Sequence, residues 1–480
     1  MALRPITGSE PPPLLGARVL VVRTAFLFAF GVALIVLFAA TEDRGLRAVV
    51  PLFLLYLFVE LAPTIWPREV DLCAPVVLPG IIGAFVSVGT LASFYDFGEL
   101  KLDLIPMLTP ERTEELVSAS LYALILGQLS YYVGYYSRFG VSMRRIFPSV
   151  AGLVWDRRRL LLVGVVAFGI FIVSYTVFQI LVGVPLLDFT QLGEGKKAWH
   201  DDPSLSWMLR GIYVGMLPAF LYFARSFSGR RAGTIVTGLA GVFIALLMSR
   251  IGIRGPAAYA LVTLLFIAHY LYRRVPVMVF VALYFAGITM SNIAYQWRTA
   301  PTSAPRDLVI GETFSNPTHV LVAHETERQR FSSVAVVMDT FPDKHPYLVG
   351  ESYLSLGVLL VPRWLWPEKT DFFQWQDTRI VTNITGAPVP TPFIAALYAN
   401  LSWLGIFVGM FLYGAFHRGL YEWLRLHSRD ANVVILYAVT MNYFQPTLLG
   451  VSAALTYVPT IYVILRFIGR KPASAALQPT

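Results

Sequence analysis

Twelve windows of mostly apolar residues, each near the roughly 20 residues that one bilayer crossing needs, run through this 480-residue chain. They fall near 18–40, 46–66, 74–97, 115–137, 159–182, 206–227, 232–250, 255–272, 276–295, 393–416, 431–449 and 452–468. Lipid offers a backbone no hydrogen bonds, so a spanning segment must satisfy its own, as a helix does. Only 14% of the residues are charged, against about 25% in soluble domains. The sequence therefore predicts an all-α polytopic integral membrane protein of about twelve transmembrane helices. The first run, from about Val19 to Ala40, lacks a clear small-residue cleavage site and reads as an uncleaved helix.

Loop charge orients the spans. Under the twelve-span order, Arg138, Arg144, Arg145, Arg157, Arg158 and Arg159 share a side with Arg225, Arg230, Arg231, Arg273 and Arg274. Arg418, Arg425, Arg429, Arg466, Arg470 and Lys471 join them, and Arg4, Arg18 and Arg68 bring that side to 20 basic residues. The opposite short loops hold eight: Arg44, Arg47, Lys101, Arg112, Lys196, Lys197, Arg250 and Arg254. Cytoplasmic loops are the arginine-rich ones, so both termini are expected in the cytoplasm. The net charge of +9 then belongs to the membrane topology, and no nucleic-acid partner is expected.

Three regions follow. Residues 1–295 carry helices one to nine, 296–392 form a large outer loop with short amphipathic and re-entrant or interfacial helices, and 393–480 carry helices ten to twelve and a tail. The loop's 97 residues hold ten of the 29 acidic side chains and three of the seven histidines, and a connection that long is rarely passive. Within it, "RFSSVAVVMDTF" sets Phe331, Val334, Met338 and Phe341 on one helical face. Further on, "GESYLSLGVLLVPRWLWPEKTDFFQW" contains an apolar run, Tyr353 to Val361, too short to cross. Pro362 and Pro367 stop a regular helix beyond it. That stretch is expected to dip into or lie along the outer surface, with Arg363 and Lys369 at headgroup phosphate and Trp364 and Trp366 as anchors.

Chemistry concentrates on the same side. Arg210, Arg250, Arg254 and Arg298 fall at outer helix ends. Arginines there either snorkel to headgroups or converge on an anion, since guanidinium forks match phosphate oxygens. The loop adds proton-transfer candidates (His319, His324, Glu325, Glu327, His345, Glu351 and Asp371) beside Arg363, Lys369 and Arg379. Glu60, alone within the second window, is expected to pair inside the bundle. No phosphate-binding glycine loop, zinc-protease motif, cysteine metal site or serine-hydrolase elbow occurs. No metal and no cofactor are expected, and Cys73, the only cysteine, has no partner for an internal disulfide.

The order of a many-spanning chain, a late outer loop, "RFSSVAVVMDTFPDKHPYLVGESYLSLGVLLVPRWLWPEKTDFF" and then "PVPTPFIAALYANLSWLGIFVGMFLYGAF" resembles the Wzy-type O-antigen and exopolysaccharide repeat-unit polymerases. The elements that carry the resemblance are Gly350, Pro362-Arg363, Trp366-Pro367, Lys369, Thr391-Pro392, Tyr398, Asn400, Gly405 and Gly409. About 90 residues match by motif and the rest by architecture. Ala396 stands where many relatives carry an acid, so no role of that acid transfers here.

The resemblance implies transfer of a growing glycan from undecaprenyl diphosphate to a lipid-linked repeat unit on the outer face of a bacterial cytoplasmic (inner) membrane. Arg210, Arg250, Arg254, Arg298, Arg363, Lys369 and Arg379 are the expected diphosphate ligands, and Glu351 or His324 the expected base. Trp364, Trp366, Tyr398 and Asn400 are the expected glycan contacts. The partners expected are the lipid-linked donor and acceptor, membrane lipid and, as a candidate, a chain-length regulator. An O-antigen ligase, or a flippase or transporter of the lipid-linked unit, are the alternatives that the sequence leaves open.

Overall fold

Polar joints interrupt the apolar runs, and short side chains within them set where helices restart. The computed structural model describes residues 44–65, 71–77, 80, 110–182, 206–226, 254–272, 274–276, 279–280, 282–283, 333–354, 366, 392–444 and 448–470. These are mostly helical: α1 (Arg44–Ile65), α2 (Pro110–Tyr136), α3 (Arg138–Ser142), a 3₁₀ turn (Met143–Ile146), α4 (Arg157–Val182), α5 (Ser206–Ser226) and α6 (Arg254–Leu271). A short helix α7 covers 333–340. It is followed by α8 (Phe393–Leu426), α9 (Ala431–Tyr443) and α10 (Leu448–Ile468). The strands β1 (Val154–Trp155) and β2 (Gly469–Arg470) pair antiparallel.

Ser137 accepts the Gly140 N–H and starts α3. Asp156 accepts the N–H groups of Arg158 and Arg159 at the head of α4, and Asp430 does the same for Asn432 and Val433 at the head of α9. Each cap satisfies amides that have no partner inside their own helix.

These joints meet at one end of the bundle. Asp430 also accepts the Gly152 N–H at 2.6 Å, the Asp156 N–H donates to the Ile468 carbonyl at 2.8 Å, and Arg470 pairs with Asp156 at 2.6 Å. A Cβ on Gly419 would sit 2.5 Å from that of Met143. The arginine-bearing segments around 138–159, 418–430 and 466–470 therefore share an end, as the loop charges require.

Helix directions are also read from close contacts. Along α2 and α8, Gly127 meets Ile406 and Gly134 meets Phe411, so the two run parallel. Gly164 meets Tyr222 and Gly211 meets Ser174, so α4 and α5 are antiparallel. Tyr270 packs on Tyr437 while Asn442 donates to Thr263, so α6 and α9 are antiparallel. These directions agree with alternating passage for the fourth, fifth, sixth, eighth, tenth and eleventh windows. At the α2–α8 crossing, a Cβ on Gly134 would lie 1.9 Å from the Phe411 carbonyl oxygen. Glycine lets the backbones touch there, the contact that membrane helices favour.

Three of the described helices are long and apolar enough to cross a membrane: Glu111–Tyr136, Arg157–Leu181 and Phe393–Leu426. On α4 a broad apolar surface faces outward, with Leu161, Val165, Val173 and Ile180 all more than 60% exposed. So large an unpaired apolar face marks contact with lipid or protein. Membrane insertion is the natural solution.

Two expectations need correction. The run 393–416 is not one regular span, because α8 breaks at Leu401 (φ −141°, ψ 27°) and Ser402 (φ 56°, ψ −149°). The Phe393 ring stands 5.8 Å from that of Tyr413, whereas an unbroken helix would hold these residues about 30 Å apart. Residues 393–400 thus fold back along 403–426 as the short leg of a hairpin, and the 403–426 leg is about 36 Å long at 1.5 Å per residue. A Cβ on Gly405 would meet the Leu397 carbonyl oxygen at 2.2 Å, so glycine closes the hairpin. The second correction concerns α7. Ser333, Val334, Ala335, Val336 and Val337 are all buried, so this helix is embedded all round rather than resting on one apolar face.

Candidate functional site

At the end away from the arginine-rich joints, α2 opens with Arg112. Its guanidinium donates to Asp339 at 2.9 Å and to Glu115 at 2.8 Å. Lys344 pairs with the other Asp339 oxygen. Burial pushes the Asp339 carboxyl up, but the Lys344 and Arg112 hydrogen bonds outweigh it and hold the group below the usual carboxylate range. This ion cluster ties α7 to the start of α2.

The chain then leaves α7 and docks on the broken end of the α8 hairpin. The Leu348 N–H donates to the Ala399 carbonyl at 2.9 Å and the Val349 N–H to the Asn400 carbonyl at 3.0 Å. Both carbonyls belong to the last turn of the short leg, where a helix has no acceptor-side partners of its own. The Gly350 N–H donates to Asn400 Oδ1 at 3.0 Å, while Asn400 Nδ2 donates to the Ala396 carbonyl at 2.7 Å. Tyr347 donates to Ser402 Oγ at 3.1 Å and packs its ring on Tyr398, which in turn meets Trp403. Glu351, immediately after the joint, is exposed and opens a helical turn over 351–354.

Backbone strain gathers at the same joint. Among the described residues, Val349 (φ 43°) and Ser402 (φ 56°) are the non-glycine residues at positive φ, and each costs of order 1–3 kcal/mol. Gly350 follows at φ 97°, a conformation that suits glycine. Such strain persists only where the surrounding contacts over-determine it, and it clusters at functional sites.

Of the residues expected from sequence, Glu351, Tyr398 and Asn400 come together here. Asn400 is 1% exposed with both ends of its amide engaged, and Tyr398 is 7% exposed. Neither offers an open face to a sugar, and their contacts hold the joint instead. Trp366 is half-buried. Arg210 and Arg254 lie in the first turns of α5 and α6. His324, Arg250, Arg298, Arg363, Trp364, Lys369 and Arg379 lie outside the described residues. The segment 71–77 forms turns, where the sequence expected a helix from 74.

Sequence reasoning missed a second cluster, at the arginine-rich end. Asp71 is buried and accepts from Tyr270 at 2.6 Å, Tyr421 at 3.0 Å and the Cys73 N–H at 3.0 Å. Tyr437 donates to the Cys73 carbonyl at 2.6 Å and Tyr131 to that of Pro75 at 3.1 Å. Four tyrosines, from α2, α6, α8 and α9, thus grip one buried turn. His269 completes the cluster: ligand atoms of Asp71, Cys73 and His269 lie within 4.8 Å of one another, a donor set suited to zinc. The hydrogen bonding argues otherwise. The Val275 N–H donates to His269 Nδ1 at 3.2 Å, which puts the proton of the neutral ring on Nε2, 3.5 Å from Asp71 Oδ1. A metal-bound histidine carries its proton on the other nitrogen. Asp71 and its three donors are therefore a hydrogen-bonded hub, with the buried His269 Nε2 beside it making no hydrogen bond. Glu60, by comparison, accepts the Tyr56 hydroxyl at 2.6 Å within α1.

Comparison with protein-family models, curated proteins and solved structures gives no match to this chain.

Proposed function

We propose that the chain is a glycosyltransferase of the bacterial cytoplasmic membrane that polymerises repeat units carried on undecaprenyl diphosphate. The arginine-rich end faces the cytoplasm and the α7–α8 joint faces outward. The observation that carries this reading is the joint itself. It joins "YLVGE" to "ALYAN", two elements of the polymerase resemblance about 50 residues apart in the chain, and leaves Glu351 exposed beside them. A scaffold this strained, held by the backbone and Asn400 hydrogen bonds, suits the positioning of a reacting group.

In the reaction, the acceptor sugar's hydroxyl oxygen attacks the anomeric carbon of the donor glycan. Glu351 takes the hydroxyl proton, a role open to a carboxylate within reach of the acceptor. The bond from the anomeric carbon to the diphosphate oxygen breaks, and undecaprenyl diphosphate leaves with the electron pair. Arg210, Arg250, Arg254, Arg298, Arg363, Lys369 and Arg379 are the cations proposed to stabilise that developing charge. Trp364 and Trp366 are proposed to stack on the glycan. Asn400 and Tyr398 act beneath that surface.

The test is extension of a purified lipid-linked repeat unit by protein in nanodiscs. Wild type should give a ladder of carrier-linked chains, and Glu351→Gln should lower its rate at least about 100-fold, the scale of general-base catalysis. A native ladder from Glu351→Gln removes that residue as base. Glycan delivered to an acceptor other than a lipid-linked repeat unit makes the enzyme a ligase, and movement of the unit across the bilayer without extension makes the protein a flippase.

A further inference from the structure

We infer that Asn400 is a positioning residue: it fixes the Gly350–Glu351 turn so that the Glu351 carboxylate is presented at one place on the outer face. The chemistry rests on the transferase reading above, whereas the geometry stands apart from it. Three consecutive amides, those of Leu348, Val349 and Gly350, donate to the end of the short α8 leg. Two of these bonds go to main-chain carbonyls and survive any substitution that keeps the helix. The third, Gly350 N–H to Asn400 Oδ1, depends on a side chain and holds the residue next to Glu351. Asn400 is itself pinned, because its Nδ2 reaches one helical turn back to Ala396.

The amide group has the chemistry this task needs. It must accept from a left-handed glycine and donate to its own helix in the same buried space, and the asparagine amide supplies both without a charge, from two separate atoms on one short side chain. Leucine at 400 is close in volume and makes neither bond. With it the Gly350 N–H loses its acceptor, the turn is released, and the Glu351 carboxylate samples several positions. A misplacement of about 1 Å is enough to cost on the order of 100-fold in a positioned reaction.

Two readouts test this. Cys73 is the only cysteine and is buried, so Glu351→Cys creates a single exposed thiol for a membrane-impermeant maleimide. We expect its labelling rate to change at least threefold when Asn400→Leu is added. In the chain with Glu351 intact, Asn400→Leu should lower kcat at least tenfold with KM within twofold, and should shift the pH–rate profile. Gly350→Ala is the companion variant in case Asn400→Leu fails to fold. A Cβ there meets nothing within 4 Å, so it strains the backbone without disturbing packing, and it should reproduce both effects. Unchanged labelling and unchanged kcat in a folded variant overturn the inference. If labelling changes but Glu351→Gln polymerises at the native rate, the joint positions the turn while Glu351 is not the base. The positioning role in catalysis then falls together with that assignment.

Discussion

Replacing Asp71 by alanine should be among the most damaging single changes to this fold. The carboxylate accepts three hydrogen bonds, from the Tyr270 and Tyr421 hydroxyls and the Cys73 N–H. Its side chain is 1% exposed, so water does not replace them. Each buried donor left unmade costs roughly 1–3 kcal/mol. Membrane proteins sit toward the low end of such values, because their unfolded state also finds partners. Three donors at that low end amount to about 3 kcal/mol, a large share of a typical stability of roughly 5–15 kcal/mol. Tyr421→Phe removes one donor and leaves the carboxylate two others, so about 1 kcal/mol is expected. Asp71→Asn keeps an acceptor oxygen and should fall between the two. Thermal unfolding in detergent, followed by loss of the monodisperse peak on size exclusion, gives the ranking. If Asp71→Ala unfolds within about 1 kcal/mol of wild type, or no further than Tyr421→Phe, the hub does not stabilise the bundle as argued.

Two further outcomes follow from the other end of the molecule. In a Cys73→Ser background, Phe393→Cys with Tyr413→Cys should cross-link with a short bifunctional maleimide, because the two rings lie 5.8 Å apart. A straight helix would separate them by about 30 Å, and no cross-link would refute the hairpin. Asp339, held below the usual carboxylate range by Lys344 and Arg112, contributes stability that is complete above the unfolded-state value of about 3.9. That contribution is lost as pH falls through the lower folded-state value. Lys344 is 51% exposed, which screens the pair and limits the effect to about 1 kcal/mol. Asp339→Asn should therefore lower the melting temperature at pH 7 and flatten its decline below pH 4, and an unaltered acid profile would show that the cluster carries no such linkage.

What was legible in the sequence follows from which signals are local. Helices α1, α2, α4, α5, α6, α9 and α10 lie within about six residues of the windows, because a run of apolar residues near the roughly 20 of a crossing is a signal any short segment carries alone. The α8 hairpin gave no such signal. Its break falls on Leu401 and Ser402, with no proline or glycine at the bend, and both legs are apolar, so hydropathy reads straight across it. The Asp71 hub joins positions 71, 269, 270, 421 and 437, whose meeting depends on tertiary packing. A lone aspartate in the apolar stretch "DLCAPVV" was the one local hint. Asn400 was found by resemblance, but its place beneath the surface comes from Gly350 and Ala396 closing around it. The embedded α7 was half legible: the run "SSVAVV" has small or apolar residues on every face, and reading only one stripe undersold it.

The hairpin also changes how the path of the chain is to be counted. Residues 393–400 add apolar length without adding a crossing, so a reporter fused just after Ser402 should report the same compartment as one fused before Pro392. A hydropathy tally scores one passage here, and the 403–426 leg, at about 36 Å, is long enough to supply it. The tally places that passage too early, however, and it puts the last residues of the large connection at the surface. Phe393 beside Tyr413 instead starts the short leg some ten residues down the long one. The tenth window thus begins below the rim of the bundle, like a drawstring threaded through the wall of a pouch.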